Sequence, residues 1–77
     1  MVTLNITYDG RSADFPLDVD VALGDTDIRR VAIEILRGGG AAWEALPTLA
    51  ENALEHFVVD RLEGGQRIYL RPKVPFG

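Results

Sequence analysis

Cysteine is absent from this chain of 77 residues, and serine, histidine and lysine occur once each, as Ser12, His56 and Lys73. Without cysteine there is no disulfide, no thiolate nucleophile and no cysteine-ligated zinc or iron–sulfur centre. An acyl-transfer triad needs a nucleophile beside a base, and Ser12 and His56 fall on different predicted hairpins, far apart in the sequence. We therefore expect a protein that is not an enzyme and that has no cofactor and no metal site.

Long apolar runs are also missing, since none approaches the roughly 18 residues of a membrane span. The net charge of −4 lacks the basic excess with which nucleic-acid binders neutralise phosphates. The acidic residues concentrate before residue 28, whereas residues 56–77 carry a small basic excess. We expect protein partners, with no nucleic acid and no membrane, and a cytoplasmic location. The charge asymmetry either steers a partner or is simply a solvated surface.

The apolar fraction of 47% in so short a chain indicates one small domain. Its N-terminal part alternates with period two, which is typical of strands with one buried face. The alternating apolar residues are Val2, Leu4, Ile6 and Tyr8, followed by Ala13, Phe15, Leu17 and Val19. Asp9-Gly10 between the two runs predicts a tight hairpin turn, and Pro16 predicts an edge strand or a bulge.

The middle of the chain has helical periodicity. Apolar residues recur at helical spacing between about Thr26 and Arg37, acidic residues around Thr26 suit a helix N-terminus, and Gly38-Gly39-Gly40 suits its end. Arg29, Arg30, Glu34 and Arg37 are assigned to the solvated side of this helix. A second, short helix is predicted from about Pro47 to about Leu54. Trp43 is interpreted as a packing residue, with an exposed interface anchor as the alternative.

The last third predicts a second hairpin, with strands around Phe57–Val59 and Ile68–Leu70 and a turn at residues 63–66. The predicted fold class is α+β, in the order β-β-α-α-β-β, with two hairpins packed on one main helix. The domain covers residues 1–71, and residues 72–77 form an extended tail because Pro72 and Pro75 oppose regular structure. The predicted core is Leu4, Ile6, Phe15, Leu17, Val31, Ile35, Val58, Ile68 and Leu70.

Two patterns resemble ligand sites only superficially. Asp18 and Asp20 share one side of a predicted strand, but they lack the loop spacing of a calcium site. The triple glycine follows a helix instead of leading into a helix N-terminus, so its N–H groups are wrongly placed for a phosphate. We interpret both as structural.

The candidate partner-binding surface is the row Arg67, Tyr69 and Arg71, which alternates away from Ile68 and Leu70. Arginine and tyrosine are enriched at interface hot spots, although a solvated sheet face has the same pattern. The tail adds Lys73, Val74, Pro75 and Phe76 as candidate recognition residues before Gly77. A glycine carboxylate has no side chain to obstruct entry into a narrow active site.

In its order of elements, with a first hairpin, one strong helix, a second hairpin and a tail closing on glycine, the chain resembles the ubiquitin-like β-grasp proteins. It also resembles the bacterial ubiquitin-like modifiers of conjugation operons, some proposed to act in antiphage defence. Ubiquitin and the sulfur carriers end in Gly-Gly, whereas this chain ends Phe76-Gly77, and residues 38–55 depart from ubiquitin. The resemblance implies Gly77 as the conjugation site, with an adenylating enzyme, a conjugating enzyme and a peptidase as partners.

Two hypotheses follow from these observations. In the first, the chain is a modifier whose Gly77 is activated and joined to a target by partner enzymes. In the second, it is a β-grasp interaction module that is never conjugated and binds a partner through the Arg67–Tyr69–Arg71 row or a sheet edge.

Overall fold

The computed structural model describes residues 2–18, 23–39 and 43–73. In chain order these residues form strand β1 (Val2–Tyr8), strand β2 (Arg11–Leu17), helix α1 (Asp25–Gly38), strand β3 (Val58–Leu62), a short 3-10 helix (Glu63–Gly65) and strand β4 (Arg67–Arg71). The described part is therefore α+β, with one α-helix and a mixed sheet in the order β2-β1-β4-β3. This arrangement is compatible with a β-grasp fold.

Both predicted hairpins are present. β1 and β2 are antiparallel, as are β3 and β4, while β1 and β4 run parallel at the centre of the sheet. Asp9 and Gly10 take positive φ angles of 52° and 76°, as a tight hairpin turn requires. Pro16 lies on β2, which is an edge strand as predicted, so its missing N–H disrupts no central ladder.

Helix α1 covers one face of the sheet. Its N-terminus is held by Asp27, whose Oδ2 accepts a hydrogen bond from the Gly24 N–H at 3.4 Å. Beyond its C-terminus, Gly39 has a φ of 80°, and an added Cβ there would lie 2.9 Å from the Ala45 backbone nitrogen. Glycine is therefore required at position 39 by both conformation and space.

The core combines the inward side chains of the two central strands with α1 and with two residues of the connection that follows it. Its buried members are Leu4, Ile6, Ile28, Ala32, Ile33, Leu36, Trp43, Leu54, Ile68 and Leu70. Trp43 is only 7% exposed, so its interpretation as a packing residue is confirmed. Of the predicted core, Phe15, Leu17, Val31 and Ile35 are partly buried around this cluster.

Two predictions about the fold are wrong. Residues 47–54 form a series of turns instead of a second helix, closed by hydrogen bonds such as Leu49 N to Leu46 O and Ala53 N to Ala50 O. Val58 is not a core residue, because the register of β3 against β4 turns Val59 toward the helix and leaves Val58 36% exposed on the opposite side.

The connection between α1 and β3 is held by two arginines that the sequence assigned to solvent. Arg37 donates to the Leu49 carbonyl oxygen through Nε at 3.0 Å and Nη2 at 2.7 Å. Arg29 donates in the same way to the Phe57 carbonyl oxygen, at 3.3 and 2.9 Å. Both side chains therefore fasten this segment to the helix. Among the described residues, no helix is long and apolar enough to cross a membrane.

Candidate functional site

The sheet face opposite α1 is called the outer face here. Strand alternation and the observed registers place on it three residues from each strand, none of them buried. They are Thr3, Asn5, Thr7, Ser12, Asp14, Pro16, Val58, Asp60, Leu62, Arg67, Tyr69 and Arg71. The predicted binding row from Arg67 to Arg71 thus lies on a central strand, in the middle of a surface that the helix does not cover.

Arg67 and Tyr69 form a fixed pair at the centre of the outer face. Arg67 Nε donates a hydrogen bond to the Tyr69 hydroxyl oxygen at 3.3 Å, and the guanidinium carbon lies 5.6 Å from the centroid of the tyrosine ring. The hydrogen bond with Tyr69 is the main cause that raises the pKa of Arg67 above its ordinary value. An arginine guanidinium is charged throughout the physiological range even without this contact.

Acidic side chains from both edge strands reach this basic row. Asp14 Oδ1 accepts a hydrogen bond from Asn5 Nδ2 at 2.8 Å, and its Oδ2 lies 3.8 Å from Arg67 Nη2. On the other side, Arg71 pairs with Asp60. The sheet registers align Asp14, Asn5, Tyr69 and Asp60 in one row across all four strands. The outer face therefore carries positive and negative groups side by side.

The β3 side of the outer face is apolar at two points. Leu62 is 48% exposed and lies beside Arg67, while Val58 is 36% exposed and lies beside Arg71. These are the exposed large apolar side chains of the described residues. Tyrosine and arginine are enriched at the hot spots of protein interfaces, and the two exposed apolar side chains add contact area beside them.

The sequence predicted only part of this surface. Alternation was enough to place Arg67, Tyr69 and Arg71 on one side of their strand, and the structure keeps them there. Asn5, Asp14 and Asp60 also alternate outward, but their proximity to the arginines depends on strand register. Val58 was missed because the consecutive apolar residues Phe57-Val58-Val59 do not define which of them points inward. Leu62 was missed because the predicted strand ended before it, whereas β3 extends to Leu62.

The other candidates do not converge on a second site. Ser12 lies on β2, while His56 lies just before β3 at the other edge of the sheet and contacts Glu55, with 87% of its side chain exposed. Asp18 is exposed, and Asp20 lies outside the described residues. Within residues 2–18, 23–39 and 43–73, no three potential metal ligands come together.

The tail prediction is only partly covered by the structure. β4 ends at Arg71, and Lys73 is exposed. Val74, Pro75, Phe76 and Gly77 lie outside the described residues, so the conjugation site and most of the tail-recognition residues stay predictions. Comparison with protein-family models, with curated proteins and with solved structures finds no match for this chain.

Proposed function

We propose that this domain is a protein-interaction module that recognises its partner with the outer face of its sheet. The observation that carries the proposal is the position of the exposed Leu62 beside the fixed Arg67–Tyr69 pair. In an interface, the leucine and the tyrosine ring would supply apolar contact area, and the guanidinium would supply hydrogen bonds to carbonyl or carboxylate groups.

The fixed geometry of the pair favours binding. A long arginine side chain ordinarily loses rotamer freedom when it enters an interface, which opposes association. The Arg67 side chain is already restrained by the Tyr69 hydroxyl, the Tyr69 ring and the Asp14 carboxylate. Less conformational entropy is therefore lost when a partner covers it.

Capture from a lysate of the source organism tests this proposal with two charge-reversal variants. Arg67→Glu changes the outer face, and Arg30→Glu makes the same charge change on α1, where the Arg30 side chain is 71% exposed. We expect a partner that is retained by the wild type and by Arg30→Glu and is lost with Arg67→Glu, with both variants melting cooperatively. A partner lost equally with both variants, or with neither, would contradict the proposal.

The second candidate function is that of a ubiquitin-like modifier, in which this chain itself has no catalytic role. It is supported by the sheet order and by the central parallel pair β1 and β4, which are compatible with the β-grasp fold of such modifiers. The test is a denaturing gel of a tagged chain expressed in its source organism. A modifier predicts slower-migrating covalent adducts that persist with Lys73→Arg and disappear when Phe76 and Gly77 are deleted. A wild-type chain that migrates only as the monomer argues against it.

A further inference from the structure

The two edges of the sheet are not equivalent. β2 carries Pro16 within its paired segment, and a proline cannot donate a backbone hydrogen bond to an added strand. β3 contains no proline, and among the described residues its only paired neighbour is β4. Alternate N–H and C=O groups of an edge strand point away from the sheet, so β3 offers a template on which another strand can pair.

The charges that commonly protect an edge strand are engaged within the domain at β3. Asp60 pairs with Arg71 on the outer face. Arg61 alternates to the other face and places Nη2 2.8 Å from Asp25 Oδ1 at the start of α1. The other outer-face residues of β3 are Val58 and Leu62, which lie two residues to either side of Asp60. They are 36% and 48% exposed.

The residues that flank β3 in the sequence are acidic. Glu55 precedes the strand and Glu63 follows it, and both side chains are exposed. Asp60 is paired with Arg71 and Arg61 with Asp25, so the acidic excess of residues 55–63 comes from Glu55 and Glu63. A second copy of this chain would bring the same acidic segment against itself, which like-charge repulsion opposes.

We propose that the free edge of β3 binds an extended basic peptide segment of a partner protein as a fifth strand. This inference rests on the proposed interaction function and names the chemistry of its ligand. The segment carries a lysine or arginine opposite Asp60, whose carboxylate it shares with Arg71, and an apolar residue two positions to each side, opposite Val58 and Leu62. Main-chain hydrogen bonds to β3 hold the strand, and the three side-chain positions select it. Because the apolar residues lie at equal distances before and after the basic residue, the segment can pair with β3 in either the parallel or the antiparallel direction.

Titration of the ¹⁵N-labelled protein with the peptide acetyl-GSVTKTVSG-amide tests the inference, with acetyl-GSVTETVSG-amide as the matched control peptide. We expect the largest amide shifts in β3 and at least about fivefold weaker binding of the glutamate peptide, because an opposite-charge cross-strand pair becomes a like-charge pair. Equal binding of the two peptides, or shifts concentrated away from β3, would overturn the inference.

A pair of variants separates edge binding from general electrostatic attraction. Leu62→Lys removes an apolar contact and introduces a charge on the edge strand, whereas Ala53→Lys makes the same charge change at an exposed turn residue. Each adds one positive charge, so any nonspecific repulsion of the lysine peptide is matched. We expect about tenfold weaker binding with Leu62→Lys and less than a twofold change with Ala53→Lys. Equal weakening by both variants would overturn edge binding.

Failure of the edge-binding inference can be distinguished from failure of the proposed function. A partner that depends on Arg67, together with a lysine peptide that leaves the β3 amides unshifted, would refute the edge inference alone. A peptide that binds β3, together with the absence of any Arg67-dependent partner, would refute binding by the centre of the outer face. Sedimentation of the free protein as a dimer that Leu62→Lys dissociates would identify a second copy as the occupant and overturn the basic-peptide assignment.

Discussion

The indole N–H of Trp43 donates a hydrogen bond to the backbone carbonyl oxygen of Tyr8, at 2.8 Å. Each residue also contributes to a separate aromatic contact. Trp43 stacks on Phe15 with ring centroids 6.0 Å apart, and Tyr8 stacks on Phe57 at 6.1 Å. The end of the first strand is thereby joined to both ends of the long connection between α1 and β3.

Trp43→Phe tests the contribution of this hydrogen bond. Phenylalanine retains an aromatic ring for Phe15, but it leaves the Tyr8 carbonyl without its donor and fills less of the core, so we expect the free energy of unfolding to fall by at least about 1–3 kcal/mol. Urea denaturation followed by circular dichroism measures it. Tyr69→Phe, which removes a hydroxyl from the solvated outer face, serves as the control and should cost less. A Trp43→Phe protein as stable as the wild type would show that the hydrogen bond is dispensable.

The two arginine contacts to the connection predict a local effect. Arg37→Ala removes both hydrogen bonds to the Leu49 carbonyl, and hydrogen bonds from a charged donor contribute about 1.5–3 kcal/mol. We expect faster amide exchange in the turns after Leu46, measured by hydrogen–deuterium exchange, and a lower melting temperature. Arg30→Ala is the control, because its ion pair with Asp27 is exposed and should contribute at most about 1 kcal/mol. Equal effects of the two variants would refute the role of Arg37.

Much of the fold follows from the sequence pattern. Alternation and turn chemistry correctly predict both hairpins, and helical spacing predicts α1. Pro16 left an edge strand and a bulge as alternatives, and the sheet order places it on an edge strand. The predicted second helix does not form, and the reason is physical. The apolar residues between Leu46 and Leu54 match helical spacing, but Arg37 binds the carbonyl of Leu49, and local turns satisfy the backbone instead. Such long-range contacts leave no periodic signal in the sequence.

Helix α1 offers a direct test of which side chains form the core. Leu36 is fully buried, whereas Ile35 is only partly buried. We expect Leu36→Ala to lower the free energy of unfolding by roughly 2–5 kcal/mol through cavity formation, and Ile35→Ala to cost less. Chemical denaturation of the two variants measures the difference. A larger loss with Ile35→Ala would mean that α1 is rotated about its axis.

Gly39→Ala tests the close approach between Gly39, just after α1, and the backbone of Ala45. The positive φ strains any residue with a side chain, and the new Cβ would contact the backbone of Ala45. We expect a loss of stability above about 1 kcal/mol, detected as a lower melting temperature. Gly38→Ala is the matched control, because Gly38 lies within α1 and its added Cβ meets no atom within 4 Å. Comparable destabilisation by both substitutions would argue against the close approach of Gly39 and Ala45.

Site-specific photocross-linking in cells of the source organism tests whether the outer face binds a protein partner. Benzoylphenylalanine replaces Leu62 in one chain and Glu34 in another, since both side chains are exposed but only Leu62 lies on the outer face. We expect a discrete cross-linked species from position 62, abolished by Arg67→Glu, and none from position 34. Cross-links of equal yield from both positions, or from position 34 alone, would contradict it.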